Sequence, residues 1–350
     1  MIESFNAHMC LMLRDSKVAS MDVKITETSL WVSNVNILNE ALLPYSLRDD
    51  NNRLHEWLMS RLMPSNTRHY IAMMPIIFRN GACRRPFAQF ILSLETNAVS
   101  LSDHYWLNAP NDITFDYEGR RINFHNKTWE DVNPWDRNVW SNDLDELLFN
   151  DRLFENPDDN LLAINNPIFT TCGLKQKKWD YDCGEWTLKK RVSTEDLERE
   201  IACLTFFRNK GILTPTYEVT NYMATNRYQF EPMTIRKGFK VIQKKYITSK
   251  EAQLTPLNWY IKENCEDSIH NVLGEISNAI NIKERVLNYF ESTIIEYLKC
   301  YNYTQIASSN FGFLINNNGD SIPAVWSNVG YTTNNQWMST VNKLGNDLAV

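Results

Sequence analysis

The chain has 350 residues, of which 43% are apolar and 12% aromatic, so it can bury a sizeable core, and its length indicates two or three folding units. Its net charge of −6 argues against bulk attraction to nucleic acid or to an anionic membrane surface. Its seven cysteines are scattered without a CxxC or Cys/His pattern, so the sequence predicts neither a disulfide framework nor a zinc site.

From its sequence we expect the chain to have neither a signal peptide nor a membrane-spanning segment. Charged residues interrupt every apolar run near the start of the chain, so this segment lacks the apolar core of a signal peptide. No stretch approaches the roughly 20 apolar residues that cross a bilayer. These features, together with cysteines that are expected to be reduced thiols, predict a soluble, cytoplasmic protein without a membrane partner.

Residues 1–160 are predicted to form an N-terminal α+β domain and a linker. Alternating apolar residues, with slips of phase, predict one or two short strands over Asp22–Leu38. Helical spacing predicts a helix over Asn51–Met63 that ends at Pro64, and a further helix up to about Leu94.

The linker is predicted within residues 122–160. A helix is predicted from Ser141, because acidic residues follow in its first turn. The acidic pair Glu130/Asp131 is interpreted as solvated surface rather than as a general acid–base site, since acidic residues are common at turns and helix starts. The polar segment Asn150–Asn160 marks the predicted domain boundary.

The segment Asn166–Ile212 is the centre of the predicted second domain, which covers residues 161–250. It predicts a strand through Trp179, a second strand over Glu185–Lys189, and then a helix that ends before Gly211. Apolar residues recur in this helix at helical spacing, namely Leu197, Ile201, Leu204 and Phe207.

Glu200 interrupts this apolar stripe. At about 100° per residue it falls between Leu204 and Phe207, so its carboxylate is expected to face the core and to need a cation there. Lys189, which ends the preceding strand, is the predicted cation. The alternative is that Glu200 reaches solvent at the edge of the stripe.

The rest of the chain predicts a small sheet followed by a short helical region. Over residues 251–350, apolar periodicity predicts helices at Ser268–Ile280 and Ile282–Cys300, and a hairpin is predicted around the Asn318–Gly319 turn. The strands of the sheet are expected at 215–223, 228–235 and 238–247.

Residues of the segment Asn166–Ile212 occur at spacings that resemble those of the HipA-like kinase proteins of bacteria and their phages. Gly173 is followed by Lys177 and Trp179, then by the strand residue Lys189 and the helix residue Glu200. In kinase-like folds a strand lysine held by a helix glutamate orients nucleotide phosphates.

The resemblance covers about residues 23–330. The segments 54–68 and 100–110 resemble the family's N-terminal segments and are expected to make structural contacts. The family's architecture implies an α+β chain in which the N-terminal domain precedes a two-lobed, protein-kinase-like fold. The small antiparallel sheet lobe would cover 161–250, and a helical lobe shorter than that of the family would cover 251–350.

The resemblance also implies a nucleotide site. Its nucleotide would be ATP, and the residues at the matching positions are Gly173, Lys177, Lys189, Glu200 and Asn310. Three catalytic positions of the family are substituted here: Gln305 stands at the proton acceptor, Ala307 at the histidine and Ser327 at the metal aspartate. Neither glutamine nor serine supplies an anionic oxygen at neutral pH, so the sequence does not favour Mg²⁺ binding.

The leading interpretation is therefore a HipA-like pseudokinase, a regulatory module that binds a nucleotide or a protein partner and does not transfer phosphate. One alternative is a weakly active, atypical Ser/Thr kinase that uses ATP through Lys189, Glu200 and Asn310. A second alternative is a structural remnant of a mobile-element protein in which the Lys189–Glu200 pair is only a buried salt bridge.

Overall fold

Strands outnumber helices in the part of the chain that the structure, a computed structural model, describes. The described residues are 4–26, 29–44, 47, 54–61, 94, 97–117, 120–136, 177–182, 185–192, 194–224, 237–245, 247–257, 273, 276, 280, 282–301 and 310–326. Within these ranges the chain is mixed α+β, with several small antiparallel sheets and few helices, and this fold class agrees with the prediction. The chain divides into two compact units, Met1–Trp186 and Thr187–Val350.

The first unit contains a four-stranded antiparallel sheet of order β3-β2-β1-β4. Its strands are β1 (Phe5–Leu13), β2 (Ser16–Ile25), β3 (Leu30–Ile37) and β4 (Tyr105–Asn108). Strands β2 and β3 confirm the prediction for Asp22–Leu38. The slip of phase between Val32 and Val35 corresponds to a bulge, at which Asn34 has a φ of 51°. Strand β1 has no predicted counterpart.

The core of the first unit lies on one face of this sheet. It includes Met9, Leu11 and Val23, each at most 2% exposed. Helix α1 (Leu54–Ser60) packs into the same core through Leu54, Trp57 and Leu58, and it confirms the middle of the helix predicted there. The helices predicted after Met63 and from Ser141, and the boundary predicted at Asn150–Asn160, lie outside the described residues.

A buried ion pair joins the two segments that were expected to make structural contacts. Arg61, which follows α1, donates to Asp103 Oδ2 at 2.5 Å, and both side chains are 2% exposed. The guanidinium carbon also lies 4.3 Å from the centre of the Trp57 ring, and Asp103 Oδ1 accepts the backbone N–H of Tyr105 at 3.0 Å. The described residues of these two segments, 54–61 and 100–110, therefore contact each other.

The described part of the first unit also contains a hairpin, a short helix and one further strand. They are β5 (Ile113–Tyr117), β6 (Arg120–Phe124), α2 (Trp129–Val132) and β7 (Lys177–Asp182). At the start of α2, Asp131 Oδ2 accepts the backbone N–H and the hydroxyl of Thr128, each at 2.8 Å. Asp131 thus caps a helix, which agrees with a structural rather than a catalytic interpretation of the acidic pair.

The described part of the second unit begins with a strand and a helix, which two further antiparallel strands follow. They are β8 (Glu185–Val192), α3 (Thr194–Asn209), β9 (Tyr217–Ala224) and β10 (Lys237–Lys245), and β10 pairs antiparallel with both β8 and β9. These elements confirm the predicted strand–helix–strand succession, and Gly211 follows α3 with a φ of 73°. The strand predicted at 228–235 lies outside the described residues.

A second, three-stranded sheet packs near the C-terminal helix of the described chain. Its strands are β11 (Ala252–Pro256), β12 (Phe311–Asn316) and β13 (Ser321–Val325), in that order, and the helix is α4 (Glu284–Cys300). Strands β12 and β13 confirm the predicted hairpin. Strand β11 has no predicted counterpart, and its pairing with β12 adds a strand to that hairpin. Of the helix predicted at Ser268–Ile280, the described residues Leu273 and Ile276 are helical and buried.

An aromatic core holds the end of α3 against α4 and the hairpin. The Phe207 ring lies 5.0 Å from Tyr297 and 5.5 Å from Phe311, and Phe290 lies 5.6 Å from Phe313. All five rings are at most 1% exposed. Contacts of this kind fix where α3 ends relative to the second sheet.

Gly211→Ala is expected to lower the free energy of unfolding by roughly 1–2 kcal/mol, the cost of placing a side chain in the left-handed region. The effect should come from backbone conformation alone, because a Cβ at this position would meet no atom within 4 Å. Gly211→Asn is the matched variant and should cost less, since asparagine tolerates positive φ. Urea denaturation measures both, and equal effects of alanine and asparagine would contradict the backbone explanation.

Candidate functional site

Glu200 is a fully buried carboxylate on the inner face of α3. It is 0% exposed, and Leu197, Cys203 and Leu204 are buried on the same helix. The helical spacing that placed Glu200 in the apolar stripe is therefore confirmed. A carboxylate in such surroundings needs a cationic or strongly hydrogen-bonding partner, because the effective cost of removing one ion from water is several kcal/mol.

Glu200 contacts a buried lysine, Lys244. Its Nζ lies 2.5 Å from Glu200 Oε1, and its side chain is 4% exposed. Lys244 is on β10, two residues after Ile242, and Ile242 packs against Leu197 of α3. Because alternate residues of a strand share a face, Lys244 and Ile242 both reach the helix from the same side of the sheet.

A backbone carbonyl is a further contact of the lysine. Lys244 Nζ donates to the carbonyl oxygen of Trp326 at 2.8 Å, and Trp326 directly follows β13. The backbone N–H of Trp326 donates in turn to the carbonyl of Asn310 at 3.2 Å. A continuous series of polar contacts therefore runs from Glu200 through Lys244 and Trp326 to Asn310. Its two ends, Glu200 and Asn310, were predicted as site residues.

The residues that follow α3 hydrogen-bond to strand β13 and so position the Trp326 carbonyl near Lys244. Leu213 donates its N–H to the Pro323 carbonyl at 3.2 Å, and its own carbonyl accepts the N–H of Val325 at 2.9 Å. These bonds make a short parallel bridge between the residues that follow α3 and strand β13. The end of β13, and with it the Trp326 carbonyl, is thus positioned by the same helix that carries Glu200.

The structure shows a partner of Glu200 that the sequence analysis did not predict. The sequence predicts Lys189 as the cation, whereas the described contact is made by Lys244 of the neighbouring strand. In the register of β8 and β10, Lys189 is opposite Gln243 and Lys244 is opposite Leu188. The side chain of Lys189 lies outside the described residues, so a contact between Lys189 and Glu200 stays a prediction.

The other predicted site residues are only partly covered by the structure. Lys177 is the first residue of β7, and its side chain lies outside the described residues. Asn310 is partly buried directly before β12. The remaining positions, which the description does not cover, are Gly173, Gln305, Ala307 and Ser327.

The sequence did contain a signal for Lys244. Ile242 and Lys244 are two residues apart in a predicted strand, so a lysine occupies a position on the apolar face of that strand. A buried lysine on a strand and a buried glutamate on the preceding helix each need an opposite charge, so the two side chains are expected to pair. The carbonyl of Trp326 has no such signal, because any residue could supply a backbone acceptor there.

This arrangement is suited to holding a helix against a sheet at a fixed distance. The ammonium group bridges a carboxylate of α3 and a carbonyl that follows β13, and neither charged side chain is open to solvent.

Within the described ranges, no three His, Cys, Asp or Glu side chains are grouped so that they could hold a metal ion. The described helices also include none that is long and apolar enough to cross a membrane.

Comparison of the whole chain with protein-family models gives no match, and comparison with curated proteins gives none either.

Proposed function

We propose that this chain is a degenerate HipA-like kinase-fold protein, a pseudokinase that binds a nucleotide or a protein partner and does not transfer phosphate. The proposal includes a two-lobed arrangement in which the sheet with α3 is the first lobe. Support comes from the succession β8, α3, β9, β10, in which β10 pairs between β8 and β9. A helix glutamate and a strand lysine meet at the sheet of such a lobe in protein kinases.

The observation that carries the proposal is the enclosure of the lysine that contacts Glu200. In an active kinase the lysine held by the helix glutamate is directed at nucleotide phosphates. Here the Lys244 ammonium donates to Glu200 and to the Trp326 carbonyl and is 4% exposed. Lys244 bound in this way stabilises the fold, and it contacts the carboxylate that the proposal would otherwise assign to orienting the predicted phosphate lysine, Lys189.

The residue types at the proposed catalytic positions point in the same direction. Phosphoryl transfer depends on positioning and on charge neutralisation, which carboxylates and Mg²⁺ usually supply. Gln305 and Ser327 are neutral, Ala307 has no polar group, and Asn310 offers a neutral amide. ATP is the nucleotide that the proposal favours, and Mg²⁺ would add little to its binding, because this cation needs anionic oxygens to replace its water.

ATP is expected to stabilise the purified protein equally with and without Mg²⁺, and to persist without transfer of phosphate. At about 100 times its dissociation constant, a ligand stabilises the folded state by about 2.7 kcal/mol. Thermal denaturation with ATP, with and without Mg²⁺ or EDTA, measures the first effect. Labelled ATP with the protein alone and with a mixed lysate measures the second.

Two outcomes would favour the alternatives. A stabilisation that requires Mg²⁺, together with phosphate transfer that Lys189→Ala abolishes, would support an atypical kinase. Absence of stabilisation by any nucleotide, with no protein partner retained by the immobilised chain, would support a structural remnant. Gln305→Asp with Ser327→Asp is the matched variant, and it should make ATP stabilisation dependent on Mg²⁺ if these positions face the nucleotide.

A further inference from the structure

A buried histidine, His104, directly precedes strand β4 in the first unit. It is 3% exposed, and its ring makes edge-on contacts with Trp129 and Trp135, whose ring centres lie 5.6 and 5.2 Å away. Trp129 begins α2, and Trp135 comes shortly after this helix. A positive charge on His104 would therefore be removed from water and enclosed by apolar rings, which costs free energy.

The imidazole of His104 accepts hydrogen bonds from a guanidinium group. Arg14 lies in the turn between β1 and β2, and its Nε and Nη2 are 3.3 and 3.2 Å from His104 Nδ1. Arginine has donors only, so Nδ1 carries the lone pair and the ring proton is on Nε2. A proton on Nδ1 would remove this acceptor and place a second positive charge against the guanidinium.

The turn that carries Arg14 is fastened to β4 and α2 by further bonds. The backbone N–H of Arg14 donates to the His104 carbonyl at 3.1 Å, and the Arg14 carbonyl accepts from Trp106 Nε1 at 2.8 Å. Asp15 Oδ1 accepts the backbone N–H of Trp129 at 2.9 Å. Arg14 has a φ of 52°, which residues other than glycine rarely adopt, so these contacts hold an uncommon backbone conformation.

The other described charged groups on the segments around His104 have partners elsewhere or face solvent. The Asp103 carboxylate, next to His104 in the chain, is neutralised by Arg61. Among these groups Arg14 therefore supplies the charge that contacts the imidazole, and its sign opposes protonation. Those hydrogen-bonded elsewhere are Asp15, Asp103, Lys127 and Asp131, and those exposed to solvent are Lys17, Glu130 and Asp136.

We propose that His104 is a pH-sensitive switch in the first unit. The neutral imidazole accepts from Arg14 and keeps the β1–β2 turn against β4 and α2. Uptake of a proton removes the acceptor and repels the guanidinium, so the turn separates from both elements. Because the opened or unfolded chain binds this proton near pH 6.5 and the closed form resists it, the closed form is most stable above about pH 6.5 and loses stability as the pH falls.

His104→Gln tests the proposal, since a glutamine oxygen can accept from Arg14 and does not titrate. Urea denaturation of the full chain at pH 7.5 and pH 5.5 compares the variant with the wild type. One proton bound by the unfolded chain alone lowers the folding equilibrium constant of the wild type about tenfold over this range. His104→Gln should lack this part of the loss, and an equal loss in the two proteins would overturn the proposal.

Hydrogen exchange separates opening of the turn from general destabilisation by acid. The Trp106 indole N–H and the Trp129 backbone N–H both donate to the turn, so they report its opening. At pH 5.5 their protection should be roughly tenfold lower in the wild type than in His104→Gln, and equal at pH 7.5. Equal protection at both values counts against the switch. His125→Gln is the control, because His125 is exposed beside Asp112, and it should leave both groups as protected as in the wild type.

The wild type alone decides the matter if His104→Gln fails to fold. Nuclear magnetic resonance follows the ring protons of each histidine as the pH is lowered. His104 should stay unprotonated in the folded chain at a pH at which the exposed His8 and His125 are charged. Titration of His104 together with these two histidines, without opening of the turn, would overturn the proposal.

Discussion

Glu200→Ala is expected to lower the free energy of unfolding by about 3–5 kcal/mol, the range for breaking a buried ion pair by removing one partner. The carboxylate is fully buried, and its contact with Lys244 Nζ is 2.5 Å long. Without it the ammonium loses this anionic partner but stays enclosed between α3, β10 and the residue after β13. Urea denaturation followed by circular dichroism measures the change.

A matched control lies on the same helix. Glu195 pairs with Arg199 one turn along α3, and the two side chains are 72% and 36% exposed. Glu195→Ala should change the free energy of unfolding by only about 0.5 kcal/mol, as is usual for exposed pairs at this spacing. A cost below about 1 kcal/mol for Glu200→Ala would show that Glu200 behaves like an exposed carboxylate.

Replacing both partners should be far less costly than removing one. Glu200→Leu together with Lys244→Met fills the same space with apolar atoms and leaves no buried charge, so we expect it to restore most of the stability lost in Glu200→Ala. The Trp326 carbonyl would still lose its donor, at a cost of about 1–3 kcal/mol if it stays buried. A double variant as unstable as the single one would show that the pair is needed to fix how the helix packs.

Asp103→Ala is expected to cost about 3–5 kcal/mol as well, and it acts in the first unit. Arg61 would stay buried beside the Trp57 ring without its anionic partner, keeping a carbonyl contact with Ala98 at 3.4 Å. The backbone N–H of Tyr105 would also lose its acceptor. Thermal or urea denaturation of the full chain measures the loss.

Asp103→Asn separates the loss of the charge from the loss of the Tyr105 hydrogen bond, and Asp112→Ala is the control for an exposed pair. The asparagine keeps an oxygen for the Tyr105 N–H but not the charge, so its cost should lie between those of wild type and Asp103→Ala. Asp112 pairs with His125 on the surface, with side chains 75% and 57% exposed, and Asp112→Ala should cost less than about 1 kcal/mol. Comparable losses for Asp103→Ala and Asp112→Ala would contradict a special role for the buried pair.

Local patterns were sufficient to predict much of the second unit. Helix α3, strand β10 and the β12–β13 hairpin follow from apolar periodicity and from the turn glycines, which act over a few residues. The same periodicity predicted that Glu200 is buried and needs a cation. Strand β1 was missed because its second half is continuously buried, so it lacks the alternation that marks a half-exposed strand.

The identity of the partner of Glu200 depends on the tertiary structure. Lys244 is 44 residues further along the chain than Glu200, and it reaches the helix only because β10 pairs between β8 and β9. Trp326 enters the contact because the hairpin returns beside the residues that follow α3. Sequence spacing gives the face on which a residue lies, whereas strand order decides which distant residue shares that face, and a backbone acceptor such as the Trp326 carbonyl leaves no trace in the residue type.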